Sequence, residues 1–453
     1  MSINLANLES VIAEKLENIS SPSEAQTLSK ALKQIKNGTI YSVSSYTDLP
    51  AVTGNDGKLY YVTDEETLYF AYNKAPMSTW ISFYPPSINS LFHSGDVCYM
   101  GVSCTAPRYS CTWVQSSLTC TNFCHVTHWG LYGGAAITTD NKLFAWGDSA
   151  YGKLGSYTCP PPQVCPDCYF TDVHGGYYQS LVIRDDGTLW GSGLNACGTL
   201  GRYEGATCLS QTSLIQEFHS ATNWVEVKTV ENLTRTTAAR KTDGTLWFWG
   251  LNDSGQRGDG TVLICGTPIQ EISSSTTWTS VMIGNQHMNA VKSDGTVWGS
   301  GQGTYAGMGV STHYSSPVQE VCNATNWCKV SGRFQHTIAL KTDGTMWGWG
   351  RNNAGQLGTG NSSFCCWPTQ EITSSTNWCF ICSGCANNGG IKTDGSLWVW
   401  GQLQHGAGLP AACYVADSSP NMSSPVQEYS SGTWSFAAAS VSCRMAAITG
   451  ISL

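Results

Sequence analysis

A mainly β fold, a seven-bladed β-propeller closed by both ends of the chain and preceded by short α-helices and a small β module, is predicted by three observations. An Asp-led turn recurs at Asp140-Asn141, Asp186-Gly187, Asp243-Gly244, Asp294-Gly295, Asp343-Gly344 and Asp394-Gly395. The gaps between successive Asp residues are 46, 57, 51, 49 and 51, the size of a four-stranded blade with generous loops. The composition, with 48 Gly, 18 Trp and 20 Tyr but only 12% charged residues, suits tight turns and aromatic sheet packing better than solvated helices.

The unit itself is clearest from Asn326-Trp327-Cys328-Lys329-Val330 through Ala339-Leu340-Lys341-Thr342-Asp343-Gly344-Thr345-Met346-Trp347-Gly348-Trp349-Gly350 to Gly355-Gln356-Leu357-Gly358. The Gly of Asp-Gly accepts positive φ in a hairpin, and the strand after it alternates, with Trp347 and Trp349 on one face and Met346 and Gly348 on the other. Counting first strands gives Phe123, Tyr169, Trp224, Trp278, Trp327, Trp378 and Trp434; counting turns gives Gly95, Asn141, Gly187, Gly244, Gly295, Gly344 and Gly395. Each count is seven. Six units are continuous, and the seventh is shared between Ser94–Gly101 and Thr433–Gly450, which removes the free sheet edges of an open array.

Residues 86–453 are therefore assigned to the propeller, 40–85 to a small β module and 1–39 to a helical anchor or oligomerisation segment. In the last of these, Leu5, Leu8, Ile12, Leu16 and Ile19 are at helical spacing. Ser21-Pro22-Ser23-Glu24 then reads as a cap before a second helix to about Lys36. Its Ala25, Leu28, Leu32 and Ile35 form either a short coiled-coil seam or the inner face of an amphipathic helix. In the β module, Lys58–Val62 and Leu68–Tyr72 flank the polar turn Thr63–Thr67 as a hairpin.

A net charge of −8 without a basic run argues against a nucleic-acid surface, and no stretch reaches the ~18 apolar residues of a membrane span. The N-terminus lacks a secretory pattern, yet the chain holds 20 cysteines, many between repeat cores, as at Cys159, Cys165, Cys168, Cys208, Cys265, Cys365, Cys366 and Cys413. Such spacing suggests disulfide-stapled loops in an oxidising medium. A protein made in a host cytoplasm without a signal peptide and exposed outside later would reconcile the two.

The run Thr242–Gln256 and its copy Thr342–Gln356 resemble the repeat of the regulator of chromosome condensation family, and the repeats in register cover about four fifths of the chain. A second landmark recurs at Pro268-Ile269-Gln270-Glu271, Pro317-Val318-Gln319-Glu320, Pro368-Thr369-Gln370-Glu371 and Pro425-Val426-Gln427-Glu428. Departures occur at Gly307-Met308-Gly309 and Gly406-Ala407-Gly408, where one loop is a residue short. The resemblance implies a propeller and suggests nucleotide exchange on a small GTPase and chromatin binding, although the scaffold hosts many functions. The series Asp48-Leu49-Pro50, Gly57, Tyr61-Val62, Asp64, Leu68-Tyr69 and Trp80 is similar to a small module of tail-fibre and other virion proteins of marine bacterial viruses.

No residue is assigned to catalysis, to a cofactor or to a metal. Cys379-x-x-Cys382-x-x-Cys385 and Cys165-x-x-Cys168 have zinc-like spacing without a matching second pair, so disulfides or buried thiols are favoured. His125, His128, His174, His287 and His336 lie in repeat cores, where histidine fills structural hydrogen-bonding positions. The Asp of each turn and the Gln-Glu steps, Gln216-Glu217 included, recur in register and mark architecture. Function is sought in the insertions at 102–121, 156–168, 202–213 and 405–424. The expectation is a non-enzymatic virion protein, a tail-fibre or receptor-binding component. Its propeller would attach to a host surface glycan or protein, while the N-terminal segment contacts other virion proteins or forms a homotrimer, with neither nucleic acid nor membrane insertion. The alternatives are an intracellular regulator binding a small GTPase and a polysaccharide-degrading enzyme using a rim carboxylate.

Overall fold

A computed structural model describes residues 41–43, 59–62, 67–74, 77–83, 91–96, 109–115, 123–129, 133–147, 149–154, 163–202, 210–230, 235–403, 421–428, 434–439 and 445–449. The chain divides into two compact units, Met1–Ile88 and Asn89–Leu453. The two expected N-terminal helices lie outside the described residues. In the first unit Leu59–Val62 and Thr67–Lys74 form the expected hairpin, closed at Val62 opposite Thr67, with Tyr41–Val43 parallel on one side and Met77–Phe83 antiparallel on the other.

The second unit is a β-propeller. Blade 1 has the strands Phe123–Trp129, Gly133–Thr138 and Leu143–Gly147. Blade 2 has Phe170–Gly175, Gln179–Arg184, Leu189–Leu194 and Ser210–Gln216. Blades 3 to 6 begin at Trp224, Trp278, Trp327 and Trp378 and end at Gln270, Gln319, Gln370 and Gln427, each an antiparallel four-stranded meander. The closing blade pairs Trp434–Ala439 and Met445–Thr449 from the C-terminal end with Leu91–Asp96 and Tyr109–Gln115. Ring closure is set by Met445 opposite Ser94 and Ile448 opposite Leu91.

Among the described residues six blades are complete four-stranded sheets rather than the seven expected. The sheet at Phe123–Gly147 has three strands among those residues, with one bridge, Phe144 to Gln163, beside its third strand. Two other expectations are corrected. Gly95 is not a turn glycine: it lies opposite Ser110, the register place that Gly301 holds opposite Tyr314 and Gly401 opposite Met422, so Leu91–Asp96 is itself the third strand. The aromatic that opens blade 2 is the buried Phe170, because Tyr169 is 46% exposed.

The repeated residues account for the architecture. At each Asp-Gly turn of blades 2 to 6 the glycine has φ of 76° to 78°. A Cβ on Gly244, Gly295 or Gly344 would come within 2.1 Å of a threonine carbonyl in the segment leading to the next blade, so the turn needs glycine twice over. The Asp343 carboxylate accepts from the Thr345 amide and hydroxyl, at 3.0 and 2.6 Å, and that hydroxyl accepts from Trp347 Nε1 at 2.9 Å. These bonds hold the turn carboxyl below the usual range at Asp186, Asp243, Asp294, Asp343 and Asp394. The lysine two residues before the turn lies between two indoles: Lys341 Nζ is 4.7 Å from the Trp327 ring and 4.3 Å from that of Trp347. Lys241, Lys292 and Lys392 repeat this contact. The core lies between blades, as where Ile338, Leu340 and Met346 of blade 5 pack on Trp378, Ile381 and Trp400 of blade 6.

Candidate functional site

The first strand of every blade lines the axis, and each carries a β-bulge just after its opening aromatic. The bulge sends the residue two positions on toward the axis. Those residues are His125, Asp172, Glu226, Ser280, Lys329, Phe380 and Phe436, six residue types at seven equivalent positions. Their contacts run round the ring. His125 Nε2 is 3.6 Å from Asp172, whose other oxygen accepts from the Val227 amide of blade 3 at 2.8 Å. Glu226 pairs with Arg240 at 3.1 Å and Lys228 at 3.6 Å. Across the ring the Lys329 ammonium sits 4.3 Å from the Phe380 ring centre, Phe380 meets Phe436 at 4.7 Å, and Phe436 meets His125 at 5.0 Å.

The channel so lined has a volume of about 210 Å³, and deeper in it lie Lys228, His174, Cys382 and Arg333. Arg333 is buried and donates to the His128 carbonyl at 3.2 Å, and its other terminal nitrogen meets His174 Nε2 at 3.1 Å. Burial, more than any charge, lowers the pKa of Arg333 to about 10. Burial also holds His174 well below its ordinary range, and Arg333 and Lys228 push the same way.

The other histidines fill structural positions. His287 Nε2 lies 3.0 Å from Thr337 Oγ1; that hydroxyl donates to Asn289 Oδ1 at 3.0 Å, so the imidazole is the donor. His336 Nε2 donates to Asn388 Oδ1 at 3.0 Å, while the Asn388 amide nitrogen donates to a backbone carbonyl. Both rings leave a buried Nδ1 without a hydrogen bond, so a second proton would have no acceptor. Burial accordingly lowers their pKa values, to about 3 for His287 and about 4 for His336. The unfolded chain takes up these protons near pH 6.5 and the folded one only far below. Their contribution is therefore intact above pH 6.5 and is lost as pH falls toward 4. At pH 5 each histidine is expected to cost roughly 2 kcal/mol of stability, read as a drop in denaturation midpoint between pH 7 and 5 that His336→Gln reduces.

The cysteines depart from expectation. Cys165 and Cys168 form a disulfide, whereas Cys124, Cys197, Cys265, Cys322, Cys328, Cys365, Cys366 and Cys379 are free thiols; Cys159, Cys208 and Cys413 lie outside the described residues. Cys379, in the bulge after Trp378, is exposed, whereas Cys382 lines the channel. Among the described residues no group of three His, Cys, Asp or Glu side chains is placed to hold a metal. Among those residues, too, no helix is long and apolar enough to cross a membrane.

The expected insertions fall largely outside the described residues, and in three of the four the described part includes strand: Tyr109–Gln115 inside 102–121, and residues of Ser210–Gln216 and Asn421–Gln427. A rim feature that sequence reasoning missed is the exposure of large apolar side chains on the third-to-fourth strand connections, which in a meander all emerge from one face. These are Val262 (57% exposed), Leu263 (69%) and Ile264 (57%) in blade 3, Val310 (44%) in blade 4 and Phe364 (50%) in blade 5. The blade 3 loop is fastened from below. The buried Arg257 guanidinium donates to the Leu263 carbonyl at 2.5 Å and pairs with Asp259 at 2.7 Å, and Asn252 donates to the Thr261 carbonyl at 2.8 Å. In blade 5 the matching Asn352 donates to the Asn361 and Ser363 carbonyls, each at 3.0 Å.

Comparison with known proteins agrees with this geometry. Two models of the regulator of chromosome condensation (RCC1) repeat match residues 329–356 and 343–387. The E3 ubiquitin-protein ligase HERC2 of Homo sapiens is 27% identical over 187 residues, and that of Mus musculus gives the same figures; the alignment covers 39% of this chain and 4% of the relative. Among solved structures, human WBSCR16 superposes with a TM-score of 0.66 at 16% identity, covering 80% of this chain and 100% of that one. Prp20p of Saccharomyces cerevisiae, whose structure is described together with its binding to Gsp1p and histones, gives 0.68 at 12% identity, covering 80% and 92%. The second unit is thus a β-propeller that carries regulator of chromosome condensation repeats over residues 329–387 and shares its fold with these solved structures.

Proposed function

We propose that the chain is a non-enzymatic regulator that docks a protein partner, of the small GTPase class, on the rim formed by the third-to-fourth strand loops of blades 3, 4 and 5. The observation that carries this reading is the fastened exposure of Val262, Leu263, Ile264, Val310 and Phe364. Apolar side chains held rigidly in water cost free energy that a partner surface recovers, and a preordered loop loses little entropy on binding. The partner class is suggested by the repeat family and by the structural likeness to Prp20p, which binds Gsp1p. The repeated polar residues are engaged in turns and blade junctions, which leaves the faces to carry specificity.

The attachment reading for a virion, with a host receptor and other virion proteins as partners, gains nothing from the matched proteins. The test separates the two readings. The purified chain is incubated with small GTPases loaded with labelled nucleotide, and in parallel with bacterial cells challenged by virus. Accelerated nucleotide release or a stable complex, weakened at least tenfold by Leu263→Asp with Ile264→Asp, is expected. Blocked viral adsorption without any GTPase effect would overturn the proposal in favour of host attachment.

A further inference from the structure

We infer that the central channel is a binding site for a small oxyanion of the phosphate or carboxylate class, held by Lys228, Lys329 and Arg333. Although the chain is net acidic, at −8, the channel lining brings three cationic side chains together against one carboxylate, Glu226. That carboxylate already receives Arg240 at 3.1 Å besides Lys228 at 3.6 Å. Asp172 is buried outside the lining, accepts from the backbone amides of Val173 and Val227, and faces His125. Lys329 makes no ion pair among the described residues, and its ammonium rests on the Phe380 ring alone.

Like charges gathered in a partly desolvated cavity repel one another and raise the free energy of the empty state. Lys329 shows both effects: burial lowers its pKa first, and the charge of Lys228 lowers it further, against a smaller pull from Glu226. Lys228 also pushes His174 down together with Arg333, whereas at His125 its push is outweighed by the pull of the Asp172 carboxylate. An anion on the axis relieves this repulsion and gives the lysines charge-assisted hydrogen bonds. Phe380, under the Lys329 ammonium, and Phe436 beside it give an apolar stretch of wall that favours a compact anion over one that needs full hydration. A volume of about 210 Å³ has room for such an ion with several waters. The residues concerned share no side chain with the rim of blades 3 to 5, so this inference stands apart from the proposed docking function.

Calorimetric titration of the full chain with inorganic phosphate, at constant ionic strength in chloride, is expected to show one site. Acetate in a second arm tells carboxylate from phosphate preference. Lys329→Met should weaken phosphate binding at least tenfold, Lys329→Arg should restore most of it, and Lys142→Met, on the turn of blade 1, should leave it unchanged. Because Lys329 bears on Phe380, each variant's melting curve is recorded: relief of repulsion predicts that Lys329→Met melts no lower than the parent without anion. Absence of a saturable site for either anion, or binding equally strong in Lys329→Met and in the parent, overturns the inference.

Discussion

A chain ending at Ser430 is expected to lose cooperative unfolding altogether. The truncation removes Trp434–Ala439 and Met445–Thr449, the first two strands of the closing blade, and leaves Leu91–Asp96 with a bare edge in place of its partner Met445–Thr449. Trp434 and Ile448 are buried, at 4% and 0% exposed. Withdrawing those two side chains alone forfeits roughly 4–6 kcal/mol, against about 5–15 kcal/mol for the stability of a typical domain. The loss extends into blade 6, because Trp434, Ala437 and Ala447 pack in one cluster with Ile391, Leu397 and Val399. Trp434 Nε1 also donates to Glu428 at the end of that blade, at 3.2 Å. Circular dichroism melting checks this: a broad, non-cooperative curve is expected, and an unchanged sharp transition would mean that the ring does not need closing.

Ring closure was legible in the sequence because it follows from counting half-units, and a repeat makes each half recognisable by its neighbours. The count went wrong only where one copy lacks its landmarks. Ser94-Gly95-Asp96 looks like a turn, yet its glycine ends a strand, as Gly301 and Gly401 do, since the strand that holds it has no tryptophan. For the fourth strand of blade 1 the described residues hold one bridge, at Gln163, beside the Cys165–Cys168 disulfide. The candidate sites stayed hidden for the converse reason. His125, Asp172, Glu226 and Lys329 share a register position but no residue type, and reading it required knowing that a bulge follows every opening aromatic. The rim residues Val262, Leu263 and Ile264 read as an ordinary apolar run until the Arg257 anchor turns them outward.

The Gln-Glu landmark recurred in the sequence without a stated reason, and the structure supplies one that is testable. Glu271 is 1% exposed, and its carboxylate accepts from the Ser273 amide at 2.7 Å, the Ser275 amide at 2.8 Å and Trp278 Nε1 at 3.1 Å. One side chain thus folds the link between blades 3 and 4 and fixes the aromatic that opens blade 4. Glu217, Glu320 and Glu371 repeat all three bonds. Glu271→Ala strands two partly buried backbone amides and a buried indole N–H, and charge-assisted bonds of this kind are worth about 1.5–3 kcal/mol each but do not add fully. A loss of roughly 3–5 kcal/mol is therefore expected. Glu271→Gln keeps one acceptor oxygen but turns an NH2 toward donors, so it should recover less than half of that loss. The neighbouring Gln270 is partly exposed and pairs with Trp247 only through the strand register, so Gln270→Ala should cost less than about 1 kcal/mol. Denaturant midpoints for the three variants decide the matter. Equal losses at positions 270 and 271 would show that the landmark acts through strand pairing, whereas a large loss confined to 271 makes the glutamate the joint between successive blades.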